Sequence, residues 1–163
     1  MAMNRRNLLG GTAIAAFGAF FGLRSMGSTQ AAEGGFPYQL SDEEWRAKLS
    51  PSAYDVLRHE GTERPFTSPL NDEKRAGTFV CAGCAQPLFT SETKYDSRTG
   101  WPSFYAFIEG AIGTSVDQSL FMTRTEVHCS NCGGHQGHVF EDGPRPTGLR
   151  YCINGVSLDF VPA

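Results

Sequence analysis

Positive charge, long apolar runs and spare cysteines are all scarce in this sequence. Its 163 residues hold 14 Lys and Arg against 17 Asp and Glu. The first 32 residues carry three of those arginines and no acidic side chain, so residues 33–163 hold 11 basic against 17 acidic, a net charge of −6. Such an acidic domain argues against nucleic acid and anionic membrane surfaces as partners. The apolar stretch Leu8–Leu23 has 16 residues with four glycines among them. That is short of the ~20 that span a bilayer, and no stable membrane partner is expected. No internal repeat occurs beyond two cysteine pairs, and no low-complexity tract lies outside the N-terminal stretch. One globular domain is left, loop-rich and β-leaning, with 19 glycines and nine prolines.

What is present begins with an address. Arg5 and Arg6 precede the apolar run, and small residues close it at STQAAEGG. This is the layout of a signal peptide, and adjacent arginines before a mild Gly- and Ala-rich run resemble the twin-arginine type. The expected division is a leader over residues 1–32, cleaved after Ala31 or Ala32, and a mature domain over 33–163. The expected location is the periplasm. The rival reading is an uncleaved anchor.

Two helix starts follow. Ser41 and Glu44 have capping-box spacing, with Leu40 and Trp45 spaced as a hydrophobic staple. Ser50 and Pro51 open a second helix, which Gly61 would end. Short β-like runs then alternate with turns: GTFVC, QPLFT, SLFMTRTEVHC, HVF and YCINGVSLDFV. The expected architecture is mainly β (α+β), two small N-terminal helices leading into antiparallel sheet.

Cys81 and Cys84 form CAGC, and Cys129 and Cys132 form CSNC. Two residues between cysteines let both sulfurs face one ion, and two such knuckles supply the tetrahedral four-sulfur shell that zinc prefers. One structural zinc would staple distant segments together. Iron and, in an oxidising compartment, disulfides are the rivals. A filled sphere leaves no position for substrate.

Cys152 is the fifth cysteine. If RYCIN is a strand, Arg150, Cys152 and Asn154 share one face. A guanidinium near a thiol favours the thiolate, and an amide can hydrogen-bond a reacting group. The plainer reading is a small buried side chain before an Asn-Gly hairpin turn. His135 and His138 follow the second knuckle and could donate protons or position water. Trp101 and Phe104 could line a shallow pocket for a methyl or thioether group, or fill the core.

Together CAGC, CSNC, GHQGHVFEDGP, RYCING and KYDSRTGWPSF resemble a B-type methionine sulfoxide reductase, from about Tyr38 onward and with GTERPFT included. The resemblance implies two antiparallel sheets with small N-terminal helices. It implies reduction of the R epimer of methionine sulfoxide, with methionine-sulfoxide-containing proteins as substrates. Cys152 matches the nucleophile; Arg150, Asn154, His135, His138 and Trp101 match active-site positions; Phe140 and Asp142 match flanking substrate-side ones. Cys81, Cys84, Cys129 and Cys132 match the zinc ligands. Many members carry a second, resolving cysteine just before GWPSF, where this chain has Thr99. Regeneration by an external thiol or thioredoxin-like reductant is therefore expected; borrowing a metal-site cysteine is the alternative. Gly155 stands where other members have Ser. The rival functions are a zinc-ribbon binding module, which leaves RYCIN and the histidines unexplained, and an oxidoreductase for another oxidised sulfur or selenium compound.

Overall fold

The computed structural model describes residues 35–119 and 122–163. The expected leader lies outside them. Among the described residues no helix is long and apolar enough to cross a membrane.

Both helices form where their caps predict. Helix α1 spans Asp42–Lys48, and its capping box is complete: Ser41 Oγ accepts from the Glu44 N–H, and Glu44 Oε2 accepts from the Ser41 N–H at 2.8 Å. Helix α2 spans Pro51–His59 with Ser50 as cap. It ends at Glu60, one residue before the expected glycine. Glu60 takes the left-handed conformation (φ 56°), and the Gly61 N–H donates back to the Asp55 carbonyl at 3.1 Å. Trp45, Tyr54, Val56 and Leu57 form the buried faces.

Among the described residues, nine strands build two antiparallel sheets: β1 Gly77–Cys81, β2 Pro87–Thr90, β3 Lys94–Tyr95, β4 Ser103–Phe104, β5 Ile112–Asp117, β6 Arg124–Cys129, β7 His135–Phe140, β8 Arg150–Ile153 and β9 Leu158–Pro162. The small sheet runs β2-β1-β9 and the large one β3-β4-β8-β7-β6-β5. Two expectations change. Strand β5 (IGTSVD) alternates Ile112, Thr114 and Val116 with Gly113, Ser115 and Asp117, yet was not among the sequence candidates; its six-residue pairing with β6 holds it in place. The run YCINGVSLDFV is two strands in different sheets rather than one segment. A 3-10 turn at Gly155–Ser157 carries the chain across, so Asn154-Gly155 is not a hairpin turn.

Alternation along the strands separates two faces of the large sheet. Phe104, Val127, Tyr151 and Ile153 point into the core and meet Phe79, Leu88 and Phe89 from the small sheet. Phe104 sits at the centre, stacked on Phe89 with ring centroids 4.3 Å apart and edge-on to Phe79 at 5.0 Å. Phe104 is thus core, whereas Trp101 stays partly exposed. The other face of the large sheet is polar, and the register puts one row of residues directly opposite one another across all six strands: Tyr95, Ser103, Cys152, His138, Glu126 and Ser115.

Candidate active site and metal centre

The four paired cysteines converge. Cys81 ends β1 in the small sheet and Cys129 ends β6 in the large one, so their cluster joins the two sheets. The two knuckles fold alike. The Cys81 and Cys129 N–H groups donate to the Gln86 and Gly134 carbonyls, at 2.8 and 3.0 Å. The Ala85 and Gly133 N–H groups donate back to the Cys81 and Cys129 carbonyls, and both residues are left-handed, φ 59° and 68°. All four sulfurs lie within 4.8 Å of one another, with Cys81–Cys132 at 3.7 Å and Cys84–Cys129 at 3.6 Å. A tetrahedral ion with bonds of ~2.3 Å sets its sulfurs ~3.8 Å apart. A disulfide would hold them at ~2.05 Å. The donor set therefore fits a metal ion. Proton sharing, with Cys129 foremost, pushes the Cys81 and Cys132 thiols up while the Cys84 and Cys129 thiols go down. Without an ion the four sulfurs share protons in this way; a bound cation would let all four serve as thiolates. Gln136 Nε2 also approaches Cys81 Sγ, at 3.5 Å.

Cys152 stands apart, half-buried on β8 and directly opposite His138 of β7. His138 Nε2 donates to Asp117 Oδ2 at 2.8 Å, and the same oxygen accepts from Arg124 at 2.6 Å. Partial burial works against the Asp117 carboxylate, yet its donors Ser119, His138 and Arg124 hold it well below the usual range. Burial depresses the His138 imidazole, and Asp117 opposes that shift.

His135 is three residues from His138, a spacing that in a regular strand points to opposite faces. A β-bulge between Val127 and His128 corrects this: Val127 faces Gly137, and the next residue, His128, faces His135. Both imidazoles thus reach the polar face, 5.3 Å apart between centroids. His135 is buried and its Nδ1 donates to Glu126 Oε1 at 2.8 Å. Glu126 Oε2 accepts from Ser115 Oγ.

The remaining expected residues divide. Arg150 and Asp142 form a two-pronged pair, both contacts 2.8 Å, with the guanidinium 4.4 Å over the Phe140 ring. Asn154 is buried and its amide is already committed: Oδ1 accepts from the Glu63 N–H at 2.9 Å, and Nδ2 donates to the Gln136 carbonyl at 3.1 Å. Its position braces the strand end instead of presenting a free amide. Trp101 Nε1 donates to the Glu63 carbonyl at 2.9 Å. A cavity of about 440 Å³ opens beside Trp101, with Phe66, Lys94, Tyr95 and Arg98 in its walls. A second, of about 500 Å³, lies by Tyr54 and His59 on the helices, among none of the expected site residues.

Comparison with known proteins agrees with this geometry. The SelR domain family matches residues 49–162. A peptide methionine sulfoxide reductase MsrB of Pseudomonas putida (strain W619) is 62% identical over 121 residues, 74% of this chain and 91% of its own length. The MsrB of Methanosarcina barkeri is 57% identical, over 75% of this chain and 87% of its own. That of Leifsonia xyli subsp. xyli is 54% identical, over 81% and 96%. The chain belongs to the SelR family of methionine sulfoxide reductases.

Within this SelR domain, sequence reasoning passed over four residues that hold the site. Asp117 and Glu126 anchor the two imidazoles. Glu63 joins Trp101, Asn154 and the Gly155 N–H, the last at 2.6 Å. Ser103 lies opposite Cys152. For Asp117, Glu126 and Ser103 the only sequence signal is an odd one, a polar side chain inside a strand; Glu63 has none beyond its place in GTERPFT.

Proposed function

We propose that this protein reduces the R epimer of methionine sulfoxide in proteins to methionine, with Cys152 as nucleophile. The observation that carries the reading is the position of Cys152, the thiol outside the metal cluster, directly opposite a histidine backed by a carboxylate. The Cys152 thiolate attacks the sulfoxide sulfur. The oxygen then passes to the cysteine sulfur as the new S–S bond and the oxygen's bond to the substrate sulfur both break, and one proton is taken up. The substrate sulfur gains two electrons, and Cys152 becomes a sulfenic acid. With Nε2 committed to Asp117, His138 supplies that proton from Nδ1, directly or through water. Trp101 holds the methyl group.

Two equivalents of an external thiol, or a thioredoxin-like dithiol, then return Cys152 to the thiol and release water and a disulfide. Thr99 in place of a second thiol supports this route. Cys81, Cys84, Cys129 and Cys132 would hold one zinc, which supplies structure and no step of the reaction. We further propose a cleaved twin-arginine leader over residues 1–32, a catalytic domain over 33–163 and a periplasmic location, supported by Arg5, Arg6 and the apolar run that follows.

Cys152→Ser tests the core of this reading. It should abolish reduction of R-epimer methionine sulfoxide peptides and leave about one metal ion bound; retained turnover refutes the nucleophile. Wild-type protein inactive on the R epimer but active on the S epimer would refute the stereochemistry.

A further inference from the structure

Four hydroxyls gather beside Cys152, and the reaction proposed above gives none of them a task. Thr99 Oγ1 lies 3.8 Å from Cys152 Sγ. Ser97 Oγ joins Thr99 Oγ1, at 2.8 Å, to Ser103 Oγ, at 2.7 Å. Ser103 is fully buried and directly opposite Cys152. One strand further out, Tyr95 is directly opposite Ser103. Its hydroxyl is buried, with no hydrogen-bond partner among the described residues. A buried donor of this kind is rare in folded proteins and asks for a missing partner. The charges this phenol feels are those of Arg150, Asp142 and Cys152, and burial pushes it up, so it keeps its proton.

We propose that Thr99 and Tyr95, with Ser97 and Ser103 behind them, form a hydroxyl cradle for the oxygen atom that Cys152 takes from its substrate. This rests on Cys152 being the nucleophile. As the oxygen leaves the methionine sulfur for the Cys152 sulfur, negative charge gathers on that oxygen before it is protonated. Thr99 Oγ1 and Tyr95 Oη donate to it there, from the side opposite the imidazoles. A hydroxyl both donates and accepts, so the same groups serve the thiolate, the moving oxygen and the finished sulfenic acid. The position that offers a second thiol in other family members thus holds the oxidised cysteine open for an outside reductant.

The test is a single turnover of the full-length protein on a methionine sulfoxide peptide without reductant. Methionine is quantified by chromatography and the Cys152 sulfenic acid by a dimedone-type probe. Thr99→Val and Tyr95→Phe preserve shape and remove the hydroxyls. Each should slow methionine formation about tenfold or more, with melting temperature and metal content unchanged. Thr99→Ser should restore the wild-type rate to within about twofold. Wild-type rates in both Thr99→Val and Tyr95→Phe overturn the cradle. A Thr99→Ser variant as slow as Thr99→Val overturns the hydroxyl's role at that position and assigns the effect to packing. Wild-type protein that forms methionine with no sulfenic acid on Cys152 overturns the nucleophile reading itself.

Discussion

Glu126→Gln is the most informative single change around the histidines. The carboxylate is 6% exposed, accepts from His135 and Ser115, and has His128 Nδ1 at 3.9 Å. Burial raises its pKa, but the nearby His128 and the donors His135 and Ser115 outweigh that and hold it well below the usual range. Glutamine keeps the shape and removes the charge. A hydrogen bond to a charged group contributes about 1.5–3 kcal/mol and a neutral one about 0.5–1.5. The amide also turns one acceptor into a donor, set against N–H or O–H groups, so one bond is lost outright. Relief of the buried charge offsets part of this loss. The net cost is about 2–3 kcal/mol, or roughly 6–12 °C of melting temperature for a domain of this size. Thermal unfolding followed by circular dichroism reads it. Because the folded pKa is depressed, the stabilisation is complete above the unfolded value near 4.5 and is lost as pH falls through the folded pKa. The gap between wild type and variant should stay wide at neutral pH and narrow below pH ~4.5. A gap under about 2 °C at pH 7, or one that widens on acidification, refutes the assignment of Glu126 as a charged anchor.

Three further outcomes follow from the same geometry. Asp117→Asn removes the partner that favours charged His138, so the alkaline limb of the pH–rate profile should move to lower pH. The rate at pH 7 should fall roughly tenfold, the worth of about 1.4 kcal/mol of charge-assisted bonding; an unchanged profile would remove His138 as proton donor. Gly137→Ala places a Cβ against the Cys152 carbonyl oxygen at a backbone φ of 156°. It should cost about 1–3 kcal/mol and depress turnover more than Gly35→Ala, where no atom lies within 4 Å; equal effects on turnover would contradict the close approach. Stripping the metal with a strong chelator should lower the melting temperature by more than ~15 °C, since structural zinc contributes on the order of 10 kcal/mol to small folds. A melting curve unmoved by chelation, with metal loss verified by elemental analysis, would show that the cysteines hold the sheets together without it.

Local chemistry was legible in the sequence and lateral geometry was not. Ser41 with Glu44, Ser50 with Pro51 and the two CxxC pairs each act within five residues, and all fold as their spacing predicts. The isolation of Cys152 was a matter of counting. Its row, by contrast, joins Tyr95, Ser103, His138 and Glu126 across separate strands, and only register aligns them. Asn154 shows the limit from the other side. Strand alternation was extended to it, but β8 stops at Ile153, and the amide turned to the backbone of Glu63 and Gln136. Strand β5 escaped notice although Ile112, Thr114 and Val116 alternate with Gly113, Ser115 and Asp117, because the run is short and mixes Thr, Gly and Ser with only two strongly apolar residues, one of which, Val116, is exposed.

The metal centre and the histidines also prove to be one construction. The knuckle Cys129–Cys132 is the connection between β6 and β7, closed by the Cys129 N–H to Gly134 carbonyl bond just before His135. The bulge lies at the same end of the pair, with His128 immediately before Cys129. Fixing Cys129 and Cys132 on one ion fixes the length and path of this connection. The path decides whether His135 meets His128, and so whether both imidazoles reach the face that carries Cys152. Without the bulge, the register that pairs Glu126 with His138 would have set His135 opposite Cys129 and sent it to the core side of the sheet. The four cysteines therefore set the face that His135 reaches, and Glu126 and Asp117 then engage one nitrogen of each imidazole.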